Sequence, residues 1–154
     1  MGPTNTISYL LQHLASVIGK DVDQTLQEQL GIGFSQYKIL MVLEWNPRVQ
    51  QKTIAQSLGQ TEASISRQIK LLESKGLITT KIDPNNKRVR ISTPTILGMQ
   101  LTEAAATILR RSLGPDFSRM GEDQQVQLIK GLQALHASVC RPAKAGSCDH
   151  PLGV

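Results

Sequence analysis

Ile54-Ala55-Gln56-Ser57-Leu58-Gly59-Gln60-Thr61-Glu62-Ala63-Ser64-Ile65-Ser66-Arg67-Gln68-Ile69-Lys70-Leu71-Leu72-Glu73-Ser74-Lys75-Gly76-Leu77-Ile78, residues 54–78, is the stretch whose reading decides the fold. Ile54 and Ala55 open a short apolar helix that Leu58 and Gly59 close, and Ile65, Ile69 and Leu72 repeat at helical spacing in the next one. Ala55 is small where two helices cross, Gly59 sits where a tight turn favours positive φ, and Ile65 anchors the second helix from below. Thr61 caps that second helix, which runs to about Lys75, where Gly76 breaks it. Leu77 to Ile82 then reads as a strand, Asp83-Pro84-Asn85-Asn86 as a turn, and Lys87 to Ser92 as the return strand. A helix-turn-helix followed by a hairpin is a winged helix.

Working outward, residues 7–30 carry Leu10, Leu11, Leu14, Val17, Ile18, Val22 and Leu26 every three or four positions, the mark of a long amphipathic helix. Gly31-Ile32-Gly33 breaks it. Ser35 reads as the N-cap of a second helix running to about Trp45, with Phe34 and Ile39 as a hydrophobic staple. Asn46-Pro47 ends that helix, and Lys52 to Leu58 forms the first helix of the helix-turn-helix. Thr95 caps a fifth helix with an apolar stripe of Leu97, Leu101, Ala104, Ala105, Ile108 and Leu109, ending near Leu113 and Gly114-Pro115. A sixth spans Glu122 to Cys140. The expected class is mainly α with a small β-hairpin wing. Residues 1–34 supply the N-terminal helix of a dimerisation region, 35–94 the winged helix-turn-helix, 95–140 the C-terminal dimerisation helices and 141–154 a flexible tail. The first, fifth and sixth helices have broader apolar faces than so small a winged helix covers, which predicts a helical interface between two copies of the chain.

The chain of 154 residues carries 17 basic and 12 acidic side chains, a net charge of +5. Residues 31–93 hold ten basic against four acidic side chains, so the excess belongs to the winged helix. A basic face on such a module points to a polyanion, through phosphate contacts and counterion release. No apolar run is long enough for a membrane span, and no basic start followed by an apolar core marks a secretory signal, so a cytoplasmic protein with no membrane partner is expected. The two cysteines, Cys140 and Cys148, form no disulfide framework. Scattered histidines, no glycine-rich phosphate loop, no nucleophile beside a base and no clustered carboxylates leave no catalytic constellation, so no enzyme and no cofactor are expected.

The motifs Ile54-Ala55 with Leu58-Gly59, Ser64-Ile65-Ser66-Arg67-Gln68-Ile69 and Leu72-Glu73-Ser74-Lys75-Gly76-Leu77-Ile78 resemble those of the multiple antibiotic resistance regulator (MarR) family. The wing Asp83-Pro84-Asn85-Asn86-Lys87-Arg88 and the step from Thr95 to Gly98 complete the resemblance. It implies a homodimeric repressor whose recognition helices enter successive major grooves of double-stranded DNA while the wings reach the minor grooves. By that likeness Ser64, Ser66, Arg67 and Lys70 face DNA, and Arg88 enters the minor groove. Thr61, Lys87 and Arg90 complete the expected DNA-binding set. The chemistry agrees: Arg67 can grip guanine or a phosphate with two bonds, Lys70 supplies a point charge, and Arg88 suits a narrow, negative minor groove. Two positions depart from the pattern. Asn86 stands where an aspartate often orients the wing arginine, and Pro94 removes a backbone donor, so the return strand is expected to stop near Thr93.

The resemblance further implies a small, often aromatic effector, for which His13, Tyr37, Met41 and Trp45 are the candidate liners, against ordinary core packing as the alternative. His136 and Cys140, with Cys148 and His150, supply zinc-type ligands, but seven residues between the cysteines is not a usual zinc spacing, and no metal is expected. The competing functional class is a winged helix that binds only protein.

Overall fold

A computed structural model describes residues 2–139. It orders them as α1 (Pro3–Leu30), α2 (Phe34–Trp45), β1 (Val49–Gln50), α3 (Gln51–Leu58), α4 (Glu62–Ser74), β2 (Ile78–Asp83), β3 (Asn86–Pro94), α5 (Ile96–Ser118) and α6 (Glu122–Val139). The protein is mainly helical with one small antiparallel sheet of strand order β1-β3-β2. Ile54, Ile65, Ile69 and Leu72 are essentially inaccessible, and they share a core with Ile39, Leu40 and Leu43 of α2 and Val22 and Leu26 of α1. Each such aliphatic side chain contributes roughly 1.5–3 kcal/mol by leaving water. Gly59 takes the left-handed conformation at φ +61° and closes α3, as the turn requires.

Several boundaries differ from the sequence expectation, and four of them have a local reason. The first helix begins at Pro3 rather than residue 7, because proline at the first helical position is pre-set in φ and has no N–H to leave unpaired. The cap of α2 is Gly33, not Ser35, which lies inside the helix. Asp23, eleven residues upstream, accepts from the Phe34 N–H at 2.7 Å, and Gln36 Oε1 reaches back to the Gly33 N–H at 3.3 Å. The fifth helix passes through Gly114-Pro115 to Ser118. Residues 110–112 and 115–119 are exposed, so water can take the carbonyl that Pro115 leaves without a donor.

The return strand reaches Pro94, one residue beyond its expected stop. Pro94 faces Ile78 in the register, and the Thr95 N–H donates to the Leu77 carbonyl at 3.0 Å. That pattern makes Ile78 and Pro94 a non-hydrogen-bonded pair, so the missing donor would have pointed away from β2. On that side β1 pairs only with Ile91 and Ser92, and nothing is lost. The wing tip is a two-residue loop, Pro84-Asn85, with Asp83 Oδ1 accepting from the Asn85 N–H at 2.9 Å. In the sixth helix no residue is buried, and Val126, Leu128, Ile129, Leu132 and Leu135 stand exposed, as do Leu10, Leu14 and Val17 of α1. Cys140, Cys148 and His150 lie outside the described residues.

The wing is joined to α5 at one crowded point. Thr95 Oγ1 donates to the Gly76 carbonyl at 2.7 Å and accepts from the Gly98 N–H at 3.0 Å, and a Cβ on Gly98 would run into the Leu77 carbonyl oxygen. Gly98→Ala is therefore expected to destabilise the protein by about 3 kcal/mol, since a backbone carbonyl cannot yield as a side chain would. Gly114→Ala in the same helix meets nothing within 4 Å and should be neutral or stabilising by up to roughly 1 kcal/mol. Urea unfolding of the two variants checks the pair, and equal midpoints would contradict the crowding.

Candidate nucleic-acid interface

The recognition surface is built on α4. Its buried side is Ile65, Ile69 and Leu72, and the helical period turns Ala63, Arg67, Lys70, Leu71 and Ser74 to solvent on the other. Thr61 caps the helix, its Oγ1 accepting from the Ser64 N–H at 3.2 Å, and Glu62 adds a negative charge to the first turn. Ser64 is half-buried and its hydroxyl donates to Gln60 Oε1 at 3.4 Å, which engages it in the cap. Ser66 is also half-buried. Among the described residues, no ion pair or hydrogen bond holds the Arg67 guanidinium or the Lys70 ammonium. Both cations stand in solvent on the outer face.

The wing brings a second set of cations alongside. Arg88 and Arg90, two apart on β3, share a side of the strand and line a groove of about 280 Å³ with Gln50, Gln51, Lys52, Val89 and Glu62. This cleft joins the start of α3, the first turn of α4 and the wing. Lys87 does not line it. Asn86 Oδ1 accepts from the Arg88 backbone N–H at 3.1 Å, so the amide fixes the main chain at the wing tip, and among the described residues the guanidinium has no partner.

Sequence reasoning missed Lys52, Gln50 and Gln51 because their place opposite the wing depends on β1, a strand of two residues. It also passed over Leu71, 48% exposed beside Arg67 on the recognition face.

Of the residues expected to line an effector site, Tyr37, Met41 and Trp45 lie four apart on α2 and His13 lies on α1. His13 stacks on Tyr9 with ring centroids 5.5 Å apart on the exposed part of α1, Tyr37 is buried, Met41 packs against the core, and Trp45 lies at the end of α2. None of the four lines the cavity of about 500 Å³ between α2, the end of β3 and α5, whose walls include Leu43, Glu44, Met99, Glu103 and Arg110. Tyr37 lies close enough to sense that cavity's charges. Burial raises its hydroxyl above the ordinary range, Glu44 raises it further and Arg110 opposes, so it stays a neutral donor.

Residues 30–89 match the sequence model of the MarR family. YdgJ of Bacillus subtilis, an uncharacterized HTH-type transcriptional regulator, is 23% identical over 133 residues, spanning 86% of this chain and 79% of its own. A MarR-family transcriptional regulator from Rhodococcus sp. RHA1 has the same fold, with TM-score 0.77 at 21% identity over 88% of this chain and 95% of its own. The MepR–DNA complex of Staphylococcus aureus superimposes with TM-score 0.73 at 26% identity, over 86% of this chain and 97% of that one.

The cap gives a direct check on the recognition helix. Thr61→Ala removes the acceptor for the Ser64 N–H and should cost about 1 kcal/mol, while Thr61→Asp should retain most of the stability. Thermal unfolding followed by circular dichroism reads both, and an unshifted Thr61→Ala would show that the bond contributes nothing.

Proposed function

From a chain whose winged helix, residues 30–89, is of the MarR family, we propose a homodimeric, sequence-specific repressor that binds a pseudo-palindromic operator in the cytoplasm and is not an enzyme. The observation that carries this reading is a set of cations with no partner among the described residues, Arg67 and Lys70 on the exposed face of α4 and Arg88, Arg90 and Lys52 around the wing cleft, which the first turn of α4 also lines through Glu62. α4 presents Arg67 to base edges in the major groove, with Ser66 beside it, and Thr61 and Ser64 hold the end of the helix that enters first. Lys70, Lys87 and Arg90 take phosphates, and Arg88 enters the minor groove. The DNA-bound state of the similar MepR supports DNA as the partner of this fold.

Dimerisation is proposed through residues 1–34 and 95–140, because the exposed apolar residues of α1 and α6 have no cover within the described chain. Two-fold symmetry then puts the half-site centres about one helical turn, roughly 10 bp, apart. A small aromatic effector is proposed to release the operator. Its proposed liners are His13, Tyr37, Met41 and Trp45, and the cavity between α2 and α5 is a second place that could receive it. No helix of the described residues is long and apolar enough to cross a membrane.

Fluorescence anisotropy with DNA from upstream of the chain's own gene tests the reading. The expected result is affinity near or below about 10 nM at physiological salt, at least roughly a thousandfold better than a scrambled duplex. Arg67→Ala should cost about 1–3 kcal/mol on the specific site and relax its specificity, whereas Lys70→Ala should weaken both duplexes alike and lower the salt slope by about 1. Weak, salt-insensitive binding to both duplexes would favour a protein-binding winged helix instead. For the dimer, sedimentation should give twice the chain mass, and Leu132→Glu should raise the dissociation constant at least about a hundredfold by burying an unpaired carboxylate. A monomeric wild type at micromolar concentration would refute that part.

A further inference from the structure

Lys75, the residue after the last turn of α4, is bound to the junction between α1 and α2. Its Nζ donates to the Gly31 carbonyl oxygen at 2.6 Å and to Gln36 Oε1 at 3.3 Å. Gly31 is the C-cap of α1, held at φ +66° with its N–H on the Gln27 carbonyl. Gln36 is buried in the first turn of α2, and the same Oε1 takes the Gly33 N–H that opens that helix. One ammonium therefore ties together the C-terminal ends of α1 and α4 and the N-terminal end of α2. The position is chemically apt: the C-terminal ends of two helices both favour a cation, and a bond from an ammonium to a carbonyl is among the stronger kinds.

We propose that Lys75 is a positioning residue that fixes the angle of the recognition helix against α1, and thereby the half-site spacing that a dimer can read. The proposal rests on the dimeric DNA-binding function above. Ile65, Ile69 and Leu72 anchor α4 along its length through apolar contacts that have no preferred direction, and the backbone bonds of Leu77 tie its end to the wing and α5 rather than to α1. Lys75 adds a directional bond at the end of α4, on a carbonyl belonging to the helix that enters the dimer region. A swivel of α4 about its apolar anchors changes the separation and phase of the two recognition helices. Inserting one base pair moves a half-site by about 3.4 Å and turns it by roughly 35°, so small errors in this angle matter. Because the Lys75 side chain is largely exposed, its removal should change geometry more than stability.

The test uses the full-length chain. An operator is selected from a random duplex pool with the wild type, and duplexes are then made with the half-site spacing unchanged, lengthened by one or two base pairs, or shortened by one. Wild type should lose at least about tenfold in affinity for each single-base-pair change. Lys75→Met should keep binding to non-specific DNA and a melting temperature within a few degrees of wild type, yet spread less than about threefold across the series. Lys75→Arg, which keeps the cation and its donors, should restore the preference, and Lys75→Gln serves in place of Lys75→Met should the latter not fold. A Lys75→Met protein with the wild-type spacing preference, or a Lys75→Arg protein that behaves like it, overturns the assignment alone. A wild type that selects no operator overturns the functional reading and this assignment with it.

Discussion

The packing of the Leu77 carbonyl against Gly98 is the constraint on which the remaining geometry depends. Leu77 follows the recognition helix directly, its N–H bonded to the Leu72 carbonyl at 3.0 Å, and its own carbonyl receives the Thr95 N–H. Thr95 caps α5, and Thr102 Oγ1 donates to the Gly98 carbonyl one turn further on at 2.8 Å. The end of α4, both ends of the wing hairpin and the start of α5 are therefore set by one backbone contact. Only a residue without a Cβ permits it. The long helix α5 meets α1 and α2 through the buried Ala105 and Thr102, so this contact also relates the DNA-facing elements to the helices on the far side.

The helix-turn-helix was legible because its determinants are local. Gly59 takes the conformation that the turn demands, Thr61 accepts the hydrogen bond of a cap, and Ile65, Ile69 and Leu72 face the core at helical spacing. What escaped the sequence depends on partners far along the chain. The cap of α2 comes from Asp23 on α1, which no local pattern near Ser35 reveals. β1 is too short to show an alternation and exists only because β3 offers it Ile91 and Ser92. Pro94 and Pro115 were read as stops from intrinsic preference, and in each case the surrounding pairing or solvent removes the penalty.

The candidate site divides in the same way. Arg67 and Lys70 are named by the family resemblance, and the structure leaves both side chains in solvent. Grouping Arg88 and Arg90 with Lys52 and Glu62 requires the three-dimensional fold, since these residues come from three elements. Asn86 was read as a weaker partner for the Arg88 side chain. Its amide oxygen is used by the Arg88 backbone instead, a choice set by the tightness of a two-residue loop.

The register of β1 gives the wing two mechanical regimes. At Ile91 and Ser92 β3 is paired on both sides, by β1 and β2, and Ser92 is fully buried, so the root behaves as part of the core. Beyond that point only β2 and β3 remain, with an irregularity between Ile82 and Asp83, and a two-stranded ribbon alone is marginally stable in water. The hairpin is thus a cantilever with a clamped base and a compliant end. Deflection at residues 84–90 spends little free energy and transmits little torque to α4. In the proposed DNA complex the arginine-bearing tip would follow grooves of different width while the recognition helix keeps its aim, so tolerance for flanking sequence would belong to the compliant tip and strictness toward the central bases to the helix beyond the clamped root.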